Sequence, residues 1–531
     1  MNAHESRLVK FLSRPDTYPH PVGLVDRRQT HVSHVFLAGD YAYKLKKPVK
    51  FPFLDASRLA DRKRFCLLEL SLNRRLAPSI YLGIVPVTEQ AGRLALNGRG
   101  RPVEWLVKMR RLPEDRMLDQ VLAASKATKR DIERLADRLL PFFRTAARGP
   151  AIRRYGEPTA VAELVLGNLR ECAPFLGKLL EEPDRAFIEA AYKQFLALQG
   201  PVLARRAREG RIIDGHGDLR CENICLSSGG QTSLGSDPQV YDCVEFQPAF
   251  RCGDEVNDLS FLLMDLEFRG RHDLAKVLER RYRSAMHDPT FDDVLAFYKC
   301  HRSLVRGKVR GFAWLQHPRT TEGRRIQELS RRHYKLARGY AAAFAPPRLV
   351  VVGGMIGSGK STLARGLAET LGAAWVRTDE IRVKEFARFR RPRQGFSGGL
   401  YAARVSAMVY ARLEVRAATL LRQGRTVVCD GMFAKEQGRR RLQQLAKRLG
   451  ASFHYIECWV PQTVALRRIG RRLAAGADLS EARPEHYARL RQGYERPRGW
   501  ARRAHTRLSD DRRPEATLTA AVAALRQAWT G

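Results

Sequence analysis

A glycine-rich loop in the last third of the 531-residue chain limits its fold more than any other feature. The β-branched run 348–352 predicts a short buried strand, and a helix is predicted from Ser361 to about residue 371. Between them the sequence fits the pattern G-x-x-x-x-G-K-[ST], in which backbone N–H groups and the positive N-terminus of the next helix surround phosphate oxygens. The segment therefore predicts a nucleotide site. Its candidate residues are Gly354, Gly357, Gly359, Lys360, Ser361 and Thr362.

The residue types of this loop also predict the cofactors. We expect Lys360 to reach the β- and γ-phosphates of ATP, and the Ser361 hydroxyl to hold Mg²⁺. The alternative, a glycine-rich turn without a ligand, does not explain why a strand precedes the loop and a helix follows it. ATP and Mg²⁺ are therefore the predicted cofactors.

Two aspartates follow strands that are predicted near this loop. Asp379 comes after the strand 374–377, where a carboxylate can accept the proton of an attacking hydroxyl. Asp430 comes after the strand 426–429 and is placed to orient Mg²⁺ or its water. Arg382 can hold an anionic acceptor, because a guanidinium matches carboxylate and phosphate groups. The pattern predicts a catalytic base, a metal ligand and an acceptor-binding residue.

Several arginines lie on one predicted helix further along the chain. Arg467 and Arg471 are four residues apart and share a helix face. We expect them to stabilise the charge on a phosphoryl group during transfer. The alternative is ordinary surface charge.

Residues 347–531 resemble the P-loop kinase family that includes polynucleotide kinases, zeta-toxin-like kinases and small-metabolite kinases. The resemblance implies a doubly wound parallel sheet and transfer of the γ-phosphoryl group of ATP to a hydroxyl. No tandem of ATPase modules, arginine-finger partner site or helicase motif is visible in the sequence, which disfavours a mechanical role. The resemblance rests on the segments 354–362, 378–382, 428–431 and 467–472.

A second constellation of catalytic residue types lies upstream. Asp218 and Asn223 are five residues apart, the spacing by which a kinase catalytic loop places a base beside the acceptor hydroxyl and an amide on Mg²⁺. Asp242, on the return strand, takes the place of a second metal ligand. We expect His216 to brace the loop through backbone hydrogen bonds. The alternative for an isolated His-Gly-Asp is a polar turn.

The N-terminal region can supply the cation that such a site requires. Lys44 and Lys46 share one face of a predicted strand, and one of them should pair with the phosphates of ATP. Lys44 is preferred over Lys46. Glu69, on a helix predicted from about 57 to 76, is the candidate ion-pair partner, and Asp61 is a shorter alternative.

Residues 30 to about 345 resemble the aminoglycoside-phosphotransferase-like kinase superfamily. The resemblance implies a bilobal, protein-kinase-like α+β domain over 1–345, with an N-lobe at about 1–107 and a helical C-lobe at about 114–345. An α/β P-loop kinase domain over 346–531 would follow it. The matching residues are Lys44, Glu69, Asp218, Asn223, Asp242 and the structural Asp258. Arg220, where many relatives carry histidine, and the segment 243–245 depart from the family pattern.

The chain as a whole resembles bacterial two-domain proteins described as bifunctional aminoglycoside phosphotransferase and ATP-binding proteins. Its net charge is +39, which raises nucleic acid as a partner, although this partner is not favoured. The nine cysteines show no Cys-x-x-Cys pair, and the sequence shows neither a signal peptide nor an apolar run long enough to span a membrane. We expect a cytoplasmic protein with free thiols and no membrane partner.

Three functional hypotheses remain open. The first is an enzyme with two phosphotransferase sites that act on small hydroxylated molecules. The second is a nucleic-acid or nucleotide kinase whose C-terminal site is active while the first domain presents substrate or regulates. The third is a regulatory or resistance-linked module in which one domain binds nucleotide without turnover. The sequence identifies neither acceptor.

Overall fold

The computed structural model describes residues 3–30, 32–51, 54–226, 237–389, 399–474, 483–510 and 513–530. The chain divides into two compact units. Unit 1 consists of Met1–Val161 and Leu203–Ser303, and unit 2 consists of Ala162–Val202 and Leu304–Gly531. The domain boundary predicted at 345 stays a prediction. The two compact units divide the chain differently, because the helical segments 162–202 and 304–345 group with unit 2. The sequence also predicts a glycine- and serine-rich hairpin tip at 227–238, and its residues 227–236 lie outside the described residues.

The strands fall into two groups along the chain, twelve short strands in unit 1 and five in unit 2 among the described residues. Those of unit 1 are β1 Val25–Gln29, β2 Ser33–Ala38, β3 Tyr41–Lys46, β4 Lys50–Phe51, β5 Leu54–Asp55, β6 Tyr81–Gln90, β7 Arg93–Leu96, β8 Arg101–Arg110, β9 Ile212–Asp214, β10 Ile224–Cys225, β11 Gln239–Val240 and β12 Cys252–Asp254. Those of unit 2 are β13 Arg348–Gly354, β14 Ala374–Arg377, β15 Val427–Asp430, β16 Ser452–Trp459 and β17 His505–Ser509.

Helices fill most of the remaining described chain. In order they are α1 Ala3–Leu12, α2 Leu59–Asn73, α3 Leu118–Ala123, α4 Lys129–Thr145, α5 Pro150–Arg153, α6 Pro158–Arg170, α7 Glu182–Arg208, α8 Pro248–Arg251, α9 Glu255–Phe268, α10 His272–Met286, α11 Phe291–Gln316, α12 Thr321–Phe344, α13 Lys360–Leu371, α14 Thr378–Glu385, α15 Ala403–Arg422, α16 Glu436–Arg448, α17 Gln462–Ala474, α18 Tyr487–Gln492 and α19 Pro514–Thr530.

Unit 1 begins with a six-stranded antiparallel sheet in the order β1-β2-β3-β8-β6-β7. Strand β3 lies in the middle, with Lys44 opposite Val35 on one side and Val107 on the other. Helix α2 packs against β6 and β8 through a buried cluster that contains Cys66 and Met109. A mainly helical region follows, which confirms the predicted α+β class of this part.

The loop that carries Asp218 lies between two short antiparallel pairs. Strand β9 pairs with β12, and β10 pairs with β11 so that Ile224 lies opposite Val240. Asn223 directly precedes β10, and Asp242 follows β11 by two residues. The β10–β11 ladder therefore brings the two candidate metal ligands together.

Unit 2 contains a five-stranded parallel sheet in the order β14-β15-β13-β16-β17. Strand β13 is central and buried along its whole length. Because side chains alternate along a strand, Val350 and Val352 pack against α13 and α19, while Leu349 and Val351 pack against α15 and α16. Helices on both faces of a parallel sheet confirm the predicted doubly wound fold.

All nine cysteines are buried and free. Within the described part of the chain, no helix is long and apolar enough to cross a membrane.

Candidate active sites

The phosphate loop is a backbone structure that requires glycine at three positions. Gly354, Gly357 and Gly359 have φ angles of 142°, 74° and 84°, in the region of positive φ that favours glycine. A Cβ on Gly357 would lie 2.6 Å from the carbonyl oxygen of Ala465, and a Cβ on Gly359 would lie 1.6 Å from Asp510 Oδ2. The loop therefore packs closely against both neighbours and delivers the chain into α13 at Lys360.

Asp430 is placed beside the phosphate loop by the pairing of β15 with β13. Its buried side chain forms a hydrogen bond with the Ser361 hydroxyl, and its Oδ1 has no hydrogen-bond partner among the described residues. Burial raises the pKa of Asp430, and the positive charge of Lys360 opposes this rise. An unpartnered carboxylate oxygen next to a serine hydroxyl fits Mg²⁺, which prefers oxygen ligands.

The predicted base of unit 2 lies in the same neighbourhood. Asp379 is in the first turn of α14, directly after β14, and its charge is a further cause that raises the pKa of the buried Asp430. The two carboxylates therefore end neighbouring strands at the edge where the phosphate loop lies.

Arg382 is buried and bound to its own chain. Its guanidinium donates to the carbonyl of Leu400 and, over 3.3 Å, to the Ser406 hydroxyl. It also lies 4.6 Å from the ring centroid of Tyr401. These contacts hold the segment 400–406 against α14. A role of Arg382 in acceptor binding stays a prediction.

The arginine helix α17 presents a different residue to the loop from those predicted. Arg467 and Arg471 are exposed. Arg468 forms an ion pair with Asp510, with 2.8 Å between Nη1 and Oδ2, and its Nη2 donates to the Asp510 carbonyl over 2.6 Å. A Cβ on Gly359 would lie 3.2 Å from the same Nη1. Asp510 is not among the residues predicted from the sequence, although it directly follows strand β17, the kind of position that identified the other two aspartates of unit 2.

In unit 1, a chain of ion pairs joins the N-terminal sheet to the catalytic loop region. Lys44 Nζ lies 2.8 Å from Glu69 Oε1 and 2.9 Å from Asp242 Oδ1. Lys46 Nζ lies 2.6 Å from Glu69 Oε2 and also contacts Glu245. Burial alone would raise the pKa of Glu69, but the two lysines hold it at about 2. Glu69 therefore stays ionised and fixes both lysines, and of the two only Lys44 touches the candidate metal ligand.

The backbone of the catalytic loop is held by His216 and Asp258. Burial lowers the pKa of His216, so its ring is neutral at pH 7. Its Nε2 donates to the Tyr241 carbonyl, and its Nδ1 accepts the Asp218 N–H over 3.3 Å. Asp258 accepts the N–H groups of His216 and Gly217. These contacts give His216 the bracing role that its position in the sequence predicts.

The candidate base Asp218 is held by Arg220, the residue that departs from the family pattern. Arg220 donates to both carboxylate oxygens of Asp218, over 2.7 and 2.9 Å. Asn223 Nδ2 donates to the same carboxylate over 2.9 Å. This leaves Asn223 Oδ1 as the amide atom that could ligate a metal. Asp242 adopts a left-handed φ of 63°, and its carboxylate is 45% exposed.

The residues present fit Mg²⁺ that a bound nucleotide brings better than they fit a metal ion that the protein holds by itself. In the described ranges, no group of three or more His, Cys, Asp or Glu side chains could hold a metal ion. Mg²⁺ commonly uses one or two carboxylates together with phosphate oxygens and water. Asn223 and Asp242 in unit 1, and Ser361 and Asp430 in unit 2, would supply the protein ligands.

Comparison with known proteins places this arrangement in a family. Over 466 residues the chain is 32% identical to protein Rv2004c of Mycobacterium tuberculosis, covering 87% of this chain and 89% of the relative. The chain belongs to the family of Rv2004c. The same identity and coverage are found for protein Mb2027c of Mycobacterium bovis. This family therefore combines both units in one chain.

Part of unit 2 also matches a family model, that of the AAA domain, over residues 349–497. Among solved structures, a gluconokinase from Sinorhizobium meliloti is 19% identical and covers 34% of this chain and 93% of its own, with a TM-score of 0.28. A choline/ethanolamine kinase family protein from Mesorhizobium loti is 14% identical and covers 63% and 99%, with a TM-score of 0.34.

Proposed function

We propose that the protein is an ATP-dependent phosphotransferase with two nucleotide sites, one in each unit, that transfers the γ-phosphoryl group to hydroxyls of small molecules. The observation that carries the proposal is the contact of Lys44 with both Glu69 and Asp242. It assembles a phosphate-binding cation and a candidate metal ligand from three distant parts of the sequence. The phosphate loop with Asp430 supports the second site.

In unit 1, Asp218 is the proposed base. It accepts the proton of the acceptor hydroxyl while the new P–O bond forms and the bond from the γ-phosphorus to the bridging oxygen of ATP breaks, so that ADP leaves. Arg220 keeps the carboxylate oriented through its two hydrogen bonds. Lys44 binds the phosphates. Mg²⁺, held by Asn223 and Asp242, neutralises phosphate charge when it is bound.

In unit 2, the loop N–H groups and Lys360 bind the phosphates, and Ser361 and Asp430 would hold Mg²⁺. Asp379 is the proposed base, because it follows the strand next to the one that ends in Asp430. Arg467 and Arg471, together with Arg468, lie on the helix from which positive charge could reach the transferred group.

A transfer screen with γ-labelled ATP tests the proposal. Sugars, amino sugars, amino alcohols, nucleosides and oligonucleotides are offered to the full chain, to Asp242→Asn and to Lys360→Ala. We expect wild type to label at least one small molecule, and each variant to lose a different part of the labelling. If the protein binds ATP tightly but transfers phosphoryl to no acceptor other than water, this would favour a regulatory module that binds nucleotide without turnover.

The net charge of +39 favours a second candidate, a nucleic-acid or nucleotide kinase whose active site lies in unit 2. Binding to phosphate backbones releases counterions, so oligonucleotide affinity should fall steeply with salt if this function is correct. Labelling of oligonucleotides that depends on Lys360 alone would support it. Absent or salt-independent oligonucleotide binding would remove it.

We also propose a cytoplasmic location. Nine buried free thiols suit a reducing compartment. ATP and Mg²⁺ are available there.

A further inference from the structure

Unit 2 contains a cavity beside the phosphate loop. None of the predicted site residues lines this cavity. Its volume is about 550 Å³. Met355 and Ser358 of the loop form one wall, and the end of β16, the start of α17, helix α18 and strand β17 complete it. Tyr487 and Trp459 contribute aromatic surface. The space is large enough for a small metabolite.

The cavity is positively charged. Arg491, Arg496 and Arg507 line it, against the single carboxylate of Glu457. Glu457 accepts the Tyr494 hydroxyl over 3.0 Å, and Arg507 Nε lies 3.7 Å from its Oε2. Three guanidinium groups against one carboxylate leave two positive charges, a balance that suits an anion.

Ser358 provides an independent sign of a missing partner. It lines the cavity, is only 1% exposed, and its Oγ has no hydrogen-bond partner among the described residues. Buried hydroxyl groups are normally hydrogen-bonded, so an unpartnered one at a cavity wall points to a polar ligand or water.

The Glu457 side of the cavity lies on the face of the sheet opposite helix α13. Along β16, Ile456 and Cys458 pack on the face that carries α13, whereas Tyr455 packs on the face that carries α15 and α16. Alternation places the Glu457 side chain on the second face. The cavity therefore extends from the phosphate loop, where Met355 and Ser358 line it, to the side of β16 that faces away from α13.

We propose that this cavity binds the anionic group of the phosphoryl acceptor of unit 2, a carboxylate or a phosphate ester on a hydroxylated small molecule. The inference rests on the proposed function of unit 2 and names the acceptor class for it. Arg491, Arg496 and Arg507 bind the anion. Arg382 does not line this cavity, and its Nη1 donates to Leu400 and Ser406.

Inorganic phosphate serves as the probe in the first test. It is titrated into the full chain saturated with Mg²⁺ and a non-hydrolysable ATP analogue, so that the nucleotide sites are already filled. The double variant Arg491→Gln/Arg507→Gln is compared with wild type and with Arg489→Gln. Arg489 is exposed on the same helix, carries the same charge and does not line the cavity. Binding of two analogue molecules per chain, one in each unit, shows that unit 2 is folded in each variant.

We expect phosphate affinity to fall roughly tenfold or more in the double variant, the loss typical of charged hydrogen bonds, and less than about twofold in the control. Equal phosphate affinity in all three proteins, or no phosphate binding by wild type, overturns the anion site. A wild type that does not bind the ATP analogue contradicts the proposed function instead, and this is measured first.

The second test uses the acceptor that the transfer screen identifies for unit 2. The double variant should raise the acceptor KM with little change in kcat, because anion binding is equally strong in the ground and transition states. An unchanged KM beside weakened phosphate binding would assign the cavity to an effector and overturn its assignment to the acceptor.

Discussion

The two candidate sites bind phosphate with different parts of the chain. In unit 2 the phosphate ligands come from one contiguous stretch of backbone, 354–362, whose shape depends on glycine at three positions of positive φ. In unit 1 they come from side chains far apart, since Lys44 pairs with Glu69 and with Asp242, 25 and 198 residues further along. Substitutions that add atoms should disrupt a site built from local backbone. Substitutions that remove charges should disrupt a site built from side chains.

The sites also differ in how their carboxylates are satisfied. Asp242 and Asp218 in unit 1 already pair with Lys44 and Arg220. In unit 2, one oxygen of Asp430 has no partner among the described residues. A nucleotide with Mg²⁺ would compete with existing ion pairs in unit 1, whereas in unit 2 it would meet a carboxylate oxygen that has no hydrogen-bond partner among the described residues.

The largest effect is expected from an added methyl group in the phosphate loop. Gly359→Ala should abolish nucleotide binding in unit 2, because its Cβ would overlap Asp510 and the left-handed φ costs about 1–2 kcal/mol for alanine. Affinity for an ATP analogue, measured with Asp242→Asn disabling unit 1, checks this.

Gly438→Ala is the matched control for the loop substitution. Gly438 lies in α16, and nothing is within 4 Å of its added Cβ. This variant should bind the analogue normally and gain about 0.5–1 kcal/mol in stability, as expected for alanine in a helix. Normal binding by Gly359→Ala would show that the loop is not the nucleotide site.

In unit 1, removal of a buried charge should lower stability more than removal of an exposed one. Glu69→Gln leaves two buried lysines short of a counter-ion, and breaking a buried ion pair in this way costs about 3–5 kcal/mol. Urea denaturation of the full chain measures the loss. Asp16→Asn, which breaks an exposed pair with Arg14, should leave the stability nearly unchanged, because water screens an exposed ion pair. Equal losses would contradict a dependence of this site on buried charge.

Substitutions of the two lysines of β3 should have different effects on nucleotide binding. Lys44→Met should weaken binding of the ATP analogue by roughly ten- to hundredfold, the equivalent of about 1.5–3 kcal/mol for a charged contact. Lys46→Met should lower stability but leave affinity nearly unchanged, because Lys46 contacts Glu69 and Glu245 and not Asp242. Both are measured with Lys360→Ala silencing unit 2. The reverse order of effects would assign the phosphates to Lys46.

The smallest effect is expected on the arginine helix. Arg468→Gln should weaken nucleotide binding in unit 2 by up to about tenfold, because Arg468 and Asp510 lie against Gly359. The exposed Arg467 should change it by less than about twofold when replaced by glutamine. A stronger effect at Arg467 would support the helix face predicted from the four-residue spacing instead.

The same difference between local and distant contacts explains what the sequence could predict. The phosphate loop, its flanking strand and helix, and the aspartates after β14 and β15 are visible because each depends on a short contiguous pattern. The helix predicted at about 57–76 forms over Leu59–Asn73, with its ends displaced by two or three residues. Both parts of the fold class are confirmed.

Contacts between distant segments could not be predicted in this way. The pair of Arg468 with Asp510 depends on how α17 packs beside the end of β17, 42 residues later. The burial of Arg382 depends on the segment 400–406, and no periodicity in α14 indicates it. The contact of Lys46 with Glu245 joins residues 199 positions apart. Tertiary packing decides these contacts.

The number of nucleotides bound per chain tests the central claim most directly. Equilibrium binding of a non-hydrolysable ATP analogue in the presence of Mg²⁺ should give two per wild-type chain. It should give one in Asp242→Asn, one in Lys360→Ala and none in the double variant, and chelation of Mg²⁺ should weaken binding at both sites. A single nucleotide per wild-type chain, lost in one variant and unaffected by the other, would contradict the account of two separate phosphotransferase sites.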